Sequence, residues 1–230
     1  MHVKFKDRAE AASMLADKLI AIMEGQMPPA KVDEIKDEFV IIAIARGGVV
    51  IGDIIASKLG VKLDVVVSTK VSAPFNSDLN VGTVMHDGSF VPNKEIILGM
   101  NISQKYLNQE IQHEVSRIEQ RLVKFRGTTQ YDVKGKKIIL VDDGVCSGCS
   151  TMVAAKWVAA QNIAKLVIAV PVGPKGTVDN LMKLSDSVVV LYTPVYCDSV
   201  GEFYHDFPEV TDREVSEILK KHKSGAKLNN

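Results

Sequence analysis

Lys137-Ile138-Ile139-Leu140-Val141-Asp142-Asp143-Gly144-Val145-Cys146-Ser147-Gly148-Cys149-Ser150-Thr151 is the stretch from which the rest of the chain is read. Four consecutive apolar residues, Ile138 to Val141, have the continuous hydrophobicity of a parallel strand buried on both faces. Two carboxylates follow, then a turn of small residues, and from Ser150 onward a helical pattern (Met152, Val153, Ala155, Trp157, Val158). A turn of this kind ends at a helix N-terminus, where free backbone N–H groups and the positive end of the helix dipole favour a phosphate. The hydroxyls of Ser147, Ser150 and Thr151 add donors. Asp142 and Asp143 lie too close to such a phosphate to bind it themselves; they suit the sugar hydroxyls, or a metal-bound group, just beyond. A phosphate, a diol and an acid pair together describe a phosphorylated ribose.

Composition sets the limits. The 230 residues are 46% hydrophobic with a formal net charge of zero, which fits one α/β domain with a sizeable core and implies neither nucleic-acid nor membrane attraction. No apolar run approaches the roughly 18 residues of a membrane span, and no signal-peptide pattern opens the chain, so a cytoplasmic protein is expected. Three cysteines make no disulfide framework. His2, His86, His113, His205 and His222 show no metal-ligand spacing.

Working outward, residues 6–23 have helical periodicity (Ala9, Ala12, Leu15, Ala16, Leu19, Ile22), ending at Gly25 and Pro28-Pro29. Phe39 to Ala45 reads as a buried strand, then Arg46-Gly47-Gly48 and a helix from Val49 to Leu59. A second strand is expected over Leu63–Thr69, ending at Lys70, then a loop to about Asn80 and short β signals at Val81–Met85 and Glu95–Leu98. Ile102–Phe125 is a long helix with Leu107, Ile111, Val115, Ile118 and Leu122 on one stripe, its interleaved Glu and Arg read as a solvated face. Strand Leu166–Val170 precedes Pro171-Val172-Gly173-Pro174; then come helix Thr177–Leu184, strand Ser187–Leu191, an irregular aromatic segment Thr193–Pro208 and a last helix Thr211–Lys221, with residues 224–230 frayed. Strands alternating with helices predict a three-layer α/β fold: a mainly parallel sheet with helices on both faces. Ligands then bind at the carboxyl ends of the strands, where Arg46, Lys70, Asp142 and Pro171 all fall.

The stretch 138–151 resembles the phosphoribosyl pyrophosphate motif of type I phosphoribosyltransferases: an apolar strand, two acids, two variable residues and a small Ser/Thr/Gly loop. Ser68 to Asn76, the long helix before the motif and Val200 to Phe207 are similar to one bacterial and archaeal subgroup of that family. The resemblance spans nearly the whole chain. It implies one domain over 1–230, with a core of about 36–192, an insertion at about 71–130 and a small hood built from 1–35 and 193–222. It implies transfer of 5-phosphoribose from phosphoribosyl pyrophosphate to a base-like acceptor, with magnesium held mostly by the substrate and Asp142 and Asp143 as possible contacts. The 5-phosphate loop is then Gly144, Val145, Cys146, Ser147, Gly148, Cys149, Ser150 and Thr151. The pyrophosphate loop is Ala45, Arg46, Gly47 and Gly48. Asp142, Asp143, Arg46 and Lys70 are the residues acting on the reacting centre, and a homodimer is a possible assembly.

The chain departs from the family in two places: Cys146 and Cys149 stand where small residues such as Ala are usual, and Ala45 stands where close relatives carry Pro. Several readings stay open from sequence. Arg-Gly-Gly is also an ordinary turn, and Lys70 equally a solvated lysine. Pro171, Val172, Phe203 and Tyr204 are candidates for the acceptor side, but the aromatics Tyr196, Phe203, Tyr204 and Phe207 are equally a hydrophobic cluster under the first helix. Two functions compete with transfer: a non-catalytic phosphoribosyl pyrophosphate or nucleotide sensor and, distantly, a Cys146-x-x-Cys149 dithiol oxidoreductase.

Overall fold

The computed structural model describes residues 4–26 and 38–225. Pro28-Pro29, the proposed start of the core at 36 and the last of the frayed tail, 226–230, lie outside them. The elements run α1 (Arg8–Gln26), β1 (Phe39–Ile44), α2 (Gly47–Leu59), β2 (Lys62–Val66), β3 (Ser68–Ala73), β4 (Asn76–Met85), β5 (Phe90–Pro92), α3 (Lys94–Gly99), α4 (Gln104–Arg126), β6 (Lys137–Val141), α5 (Cys149–Ala159), β7 (Lys165–Val172), α6 (Lys175–Met182), β8 (Ser187–Tyr192), a 3-10 turn (Val200–Phe203) and α7 (Asp212–Gly225). Five strands form a parallel sheet in the order β2-β1-β6-β7-β8, and β3-β4-β5 form a separate antiparallel sheet.

The parallel sheet is covered on both faces, and its strands divide their side chains between two cores with period two. Ile41 and Ala43 of β1 and Ile139 and Val141 of β6 join the core beneath α1 and α2. Val40, Ile42 and Ile44, with Ile138 and Leu140, join the one beneath α5 and α6. This explains why β1 and β6 read as unbroken apolar runs. Pro171 lies within β7, not after it. The neighbouring Gly173 N donates to Tyr192 O and Val172 O accepts on the opposite side, so position 171 faces β8, and the β7–β8 ladder passes from Val170–Val190 to Val172–Tyr192 without it.

The middle of the chain differs most from the sequence reading. The expected single strand Leu63–Thr69 is two strands in two sheets, and the expected loop 71–80 is a hairpin of β3 and β4. Lys70 therefore sits in mid-strand opposite Thr83, not at the end of a parallel strand. Glu95–Leu98 is part of α3, capped by the Asn93 side chain, which accepts from Ile96 N. The polar alternation Asn76-Ser77-Asp78 reads as loop because this strand end is exposed and has no core face.

α4 carries the expected stripe with one exception. Glu114 is buried among Leu107, Ile118 and Leu122 and not on a solvated face. Its Oε1 accepts from Arg117 Nη1 at 2.8 Å, while Oε2 is buried without a partner among the described residues. Glu110, His113 and Glu114 meet on this turn with one ligand atom each within 4.8 Å of one another, a grouping that histidine spacing alone does not reveal. At its end α4 is tied to β2 by Arg126, which donates to both oxygens of Asp64 at 2.5 and 2.7 Å.

An unpartnered carboxylate oxygen in an apolar stripe costs stability. Glu114→Met is expected to stabilise the protein by about 1 kcal/mol, because Arg117 can return to water. Urea unfolding measures it; a loss of stability would show that Glu114 has a partner that this account omits.

Candidate functional site

β1 and β6 are neighbours, so the turns that leave them are forced together. Ala45-Arg46-Gly47-Gly48 leads into α2 directly beside Asp142-Asp143, and the Ala45–Arg46 peptide is cis. The contact needs both glycines. A Cβ on Gly47 would fall 1.8 Å from Asp143 Oδ2, and one on Gly48 would fall 2.9 Å from Val141 O and 3.0 Å from Asp142 Cα. A side chain at 47 would displace the Asp143 carboxylate, and one at 48 would strike main chain.

Beyond the acids the chain forms the turn Gly144–Gly148 and enters α5. Val145 N donates to Val172 O at 2.9 Å, fastening the turn to the end of β7. Thr177 Oγ1 donates to Cys146 O at 2.6 Å, bracing it from α6. Gly148 takes φ +74°, a left-handed conformation that suits glycine. No side chain caps the N-terminus of α5, so its first N–H groups are left for another partner. Thr151 Oγ1, in the first turn, is buried and makes no hydrogen bond to any described residue. The uncapped helix end lies along one cavity of about 250 Å³, lined by Lys70, Asp142, Gly144 to Thr151, and Asp198, Ser199 and Val200, with the buried Thr151 hydroxyl just behind its wall. Lys70 thus reaches the cavity from the antiparallel sheet.

The two acids have different surroundings. Asp142 lines the cavity, and Asp143 turns away to Arg8, whose Nε donates to Oδ2 at 2.8 Å. Burial, reinforced by the Asp143 charge, pushes the Asp142 carboxyl well above the usual carboxylate range. Burial also raises Asp143, against the opposing pull of Arg8. Arg8 itself donates to Pro208 O at 2.7 Å and stacks on Phe207, its guanidinium carbon 3.6 Å from the ring centroid. Tyr204 OH donates to Asp143 O at 2.6 Å. Arg8 was missed in the sequence because no motif surrounds it; only the fold brings it 135 positions along the chain to Asp143. Arg46, read as a pyrophosphate ligand, is ion-paired with Glu209 at a second cavity, lined also by Arg8, Gly47, Phe207 and Pro208.

The aromatic segment takes the second of its two readings in part. Phe203 and Tyr204 are buried in the core with Phe5, to which Tyr204 is bridged, so they form no open stacking surface. Pro171 and Val172 are likewise buried strand residues. Tyr196 is 84% exposed, alone among the four aromatics in pointing to solvent. The side of the cavity facing the phosphate turn comes instead from Asp198, Ser199 and Val200.

The cysteines also correct the sequence reading. Cys146 of the phosphate turn is disulfide-bonded to Cys197, immediately before Asp198, while Cys149 is free. The Cys-x-x-Cys spacing therefore does not form the dithiol pair, and the turn is covalently tied to the segment across the cavity.

Comparison with known proteins bears on family and fold. The family model described as "Phosphoribosyl transferase domain" matches residues 30–192. A Mycobacterium tuberculosis protein named "Putative phosphoribosyl transferase Rv0571c" is 29% identical over 218 residues, 94% of this chain; the chain spans 46% of that protein's length. The crystal structure of TT1426 from Thermus thermophilus is 32% identical, with a TM-score of 0.71 over 95% of this chain and 98% of its own.

Two outcomes are expected from these contacts. Asp142→Asn removes a carboxylate whose ionisation burial opposes, so it should raise thermal stability at neutral pH. The gain should fade as pH drops through the raised Asp142 pKa, where the wild-type carboxyl becomes neutral too. Asp143→Ala leaves the buried Arg8 unpaired and should cost about 3 kcal/mol. Equal stability of the two variants at pH 7 would contradict this division of roles. Second, thiol titration of unfolded, unreduced protein should count one thiol, and three after reduction; three without reduction would refute the Cys146–Cys197 bond. With the family model matched over residues 30–192, most of its length, this chain belongs to the phosphoribosyl transferase domain family.

Proposed function

We propose that the protein transfers the 5-phosphoribosyl group from phosphoribosyl pyrophosphate to a nitrogen of a base-like acceptor. The observation that carries this reading is the uncapped N-terminus of α5 beside the unpartnered, buried Thr151 Oγ1, in one cavity with Asp142. Amides and hydroxyl are donors for the 5-phosphate, which positions a reacting carbon they never touch. Asp142 is the acceptor for ribose hydroxyls. As the C1–O bond breaks, pyrophosphate leaves with the electron pair; the acceptor nitrogen lone pair forms the new bond to C1, and its proton passes to water. Positive charge gathers on the ribose and negative charge on the leaving group. Asp142 answers the first, and Lys70 with the Gly47-Gly48 amides the second. Arg46 joins them once it exchanges Glu209 for pyrophosphate.

Asp142 fits magnesium as a carboxylate oxygen facing the cavity, and the remaining ligands fall to substrate and water. When bound, the ion neutralises pyrophosphate charge. Asp143 is a positioning residue held by Arg8. A non-catalytic sensor of the same ligand is the second reading, favoured by the Arg46–Glu209 pair, which occupies the arginine expected to hold pyrophosphate. A cytoplasmic setting and a homodimer belong to the proposal. No helix of the described residues is long and apolar enough to cross a membrane.

The test is pyrophosphate production from phosphoribosyl pyrophosphate, magnesium and a panel of bases. The proposal requires release that depends on the base and is lost in Asp142→Asn; binding without release would establish the sensor. The raised Asp142 pKa adds a pH signature. A cationic ligand lowers that pKa, so binding of the magnesium complex expels a proton and weakens as pH falls through the raised value. Calorimetry in two buffers of different ionisation enthalpy reads the proton count. No release below the raised pKa would remove Asp142 from the ligand.

A further inference from the structure

Resting on the phosphoribosyl reading, we propose that the acceptor is a base without a carboxylate, neutral or cationic, which presents an N–H beside a hydrogen-bond acceptor, and that Asp198 and Ser199 read this edge. Lys70, Asp142 and the turn Gly144–Thr151 are committed to the phosphoribosyl part. The remaining lining residues of the cavity are Asp198, Ser199 and Val200. On the phosphoribosyl reading, a base attached at C1 is assigned to these three.

Their chemistry is specific. The Asp198 carboxylate is exposed and makes no hydrogen bond or ion pair with any described residue, so it is an open acceptor of N–H. Ser199 Oγ accepts from Gly201 N at 3.3 Å, which leaves its O–H to donate outward. An acceptor and a donor on consecutive residues match the paired donor and acceptor of a lactam or amidine edge. Val200 supplies apolar contact for a ring face. The Cys146–Cys197 bond holds this segment beside the phosphate turn, so little ordering is left to the moment of binding.

Charge excludes the alternative. Between Lys183 and Arg213 the sequence has no lysine or arginine, but it has Asp186, Asp198, Glu202, Asp206, Glu209 and Asp212. Lys70 is the one cation lining the cavity among the described residues. A base bearing a carboxylate would enter beside Asp198 with pyrophosphate already drawing on Lys70, and like charges in a partly desolvated site repel.

The experiment compares ligands by calorimetry, which needs no turnover: ribose 5-phosphate, inosine and adenosine 5-monophosphates, and orotidine and nicotinate mononucleotides. Expected is binding of ribose 5-phosphate, tighter binding of at least one neutral-base nucleotide, and at least tenfold weaker binding of both carboxylate nucleotides. Asp198→Asn should weaken the favoured nucleotide about tenfold and leave ribose 5-phosphate unchanged. Carboxylate nucleotides binding as tightly as neutral ones, or an Asp198→Asn variant indistinguishable from wild type, would overturn the acceptor assignment while the phosphoribosyl reading stands. Failure of ribose 5-phosphate itself to bind would overturn both.

Discussion

Two strand-end turns close on each other where Gly48 lies against the main chain of Val141 and Asp142 and Gly47 lies against the Asp143 carboxylate. The parallel pairing of β1 with β6 brings the two strand-end turns to the same edge, and the glycines let them close to contact. Everything proposed for the site follows from that closeness. One turn supplies backbone amides, the next supplies carboxylates, and the helix after it supplies an open N-terminus. A methyl group at Gly48 would push against main chain, which has no rotamer to yield.

Charge within that contact is divided, not duplicated. Asp143 is held by Arg8, and Asp142 is left facing the cavity under a burden of burial and like charge. A buried carboxylate without a cation is unfavourable for the empty protein, yet it is suited to a ligand that brings positive charge or hydroxyl donors. Arg8 has a second consequence. Through Pro208 and Phe207 it joins the acid pair to the C-terminal segment, and Tyr204 does the same from the backbone of Asp143. The segment that supplies Asp198 is thereby held to the strand edge by the Tyr204 hydrogen bond, by Arg8 bridging Asp143 to Pro208 and Phe207, and by the Cys146–Cys197 bond.

The sheet was legible in the sequence because its strands are apolar on both faces; Phe39–Ile44 and Lys137–Val141 can be little else. The acid pair and phosphate turn were legible because the motif is continuous along the chain. Local chemistry could not show what depends on distant partners. Lys70 reads as the end of a core strand because Leu63 to Thr69 is one β-prone run, and only pairing with Thr83 assigns its second half to another sheet. Glu114 reads as solvated because its neighbours Arg117 and Glu110 are. Phe203 and Tyr204 read as a platform because aromatic residues in an irregular segment look available; their pairing with the N-terminal stretch at Phe5 buries them. Cys146 was read with Cys149 of the same turn, while its partner lies at a sequence separation of 51.

The central claim is that the turn before α5 holds the phosphate of a phosphorylated ribose while Asp142 faces the sugar. A crystal structure of the protein with ribose 5-phosphate tests it most directly. The account predicts phosphate oxygens within hydrogen-bond distance of the first N–H groups of α5 and of Thr151 Oγ1, with the ribose hydroxyls toward Asp142. Phosphate bound instead between Arg8 and Arg46, with the α5 N-terminus empty, would contradict it.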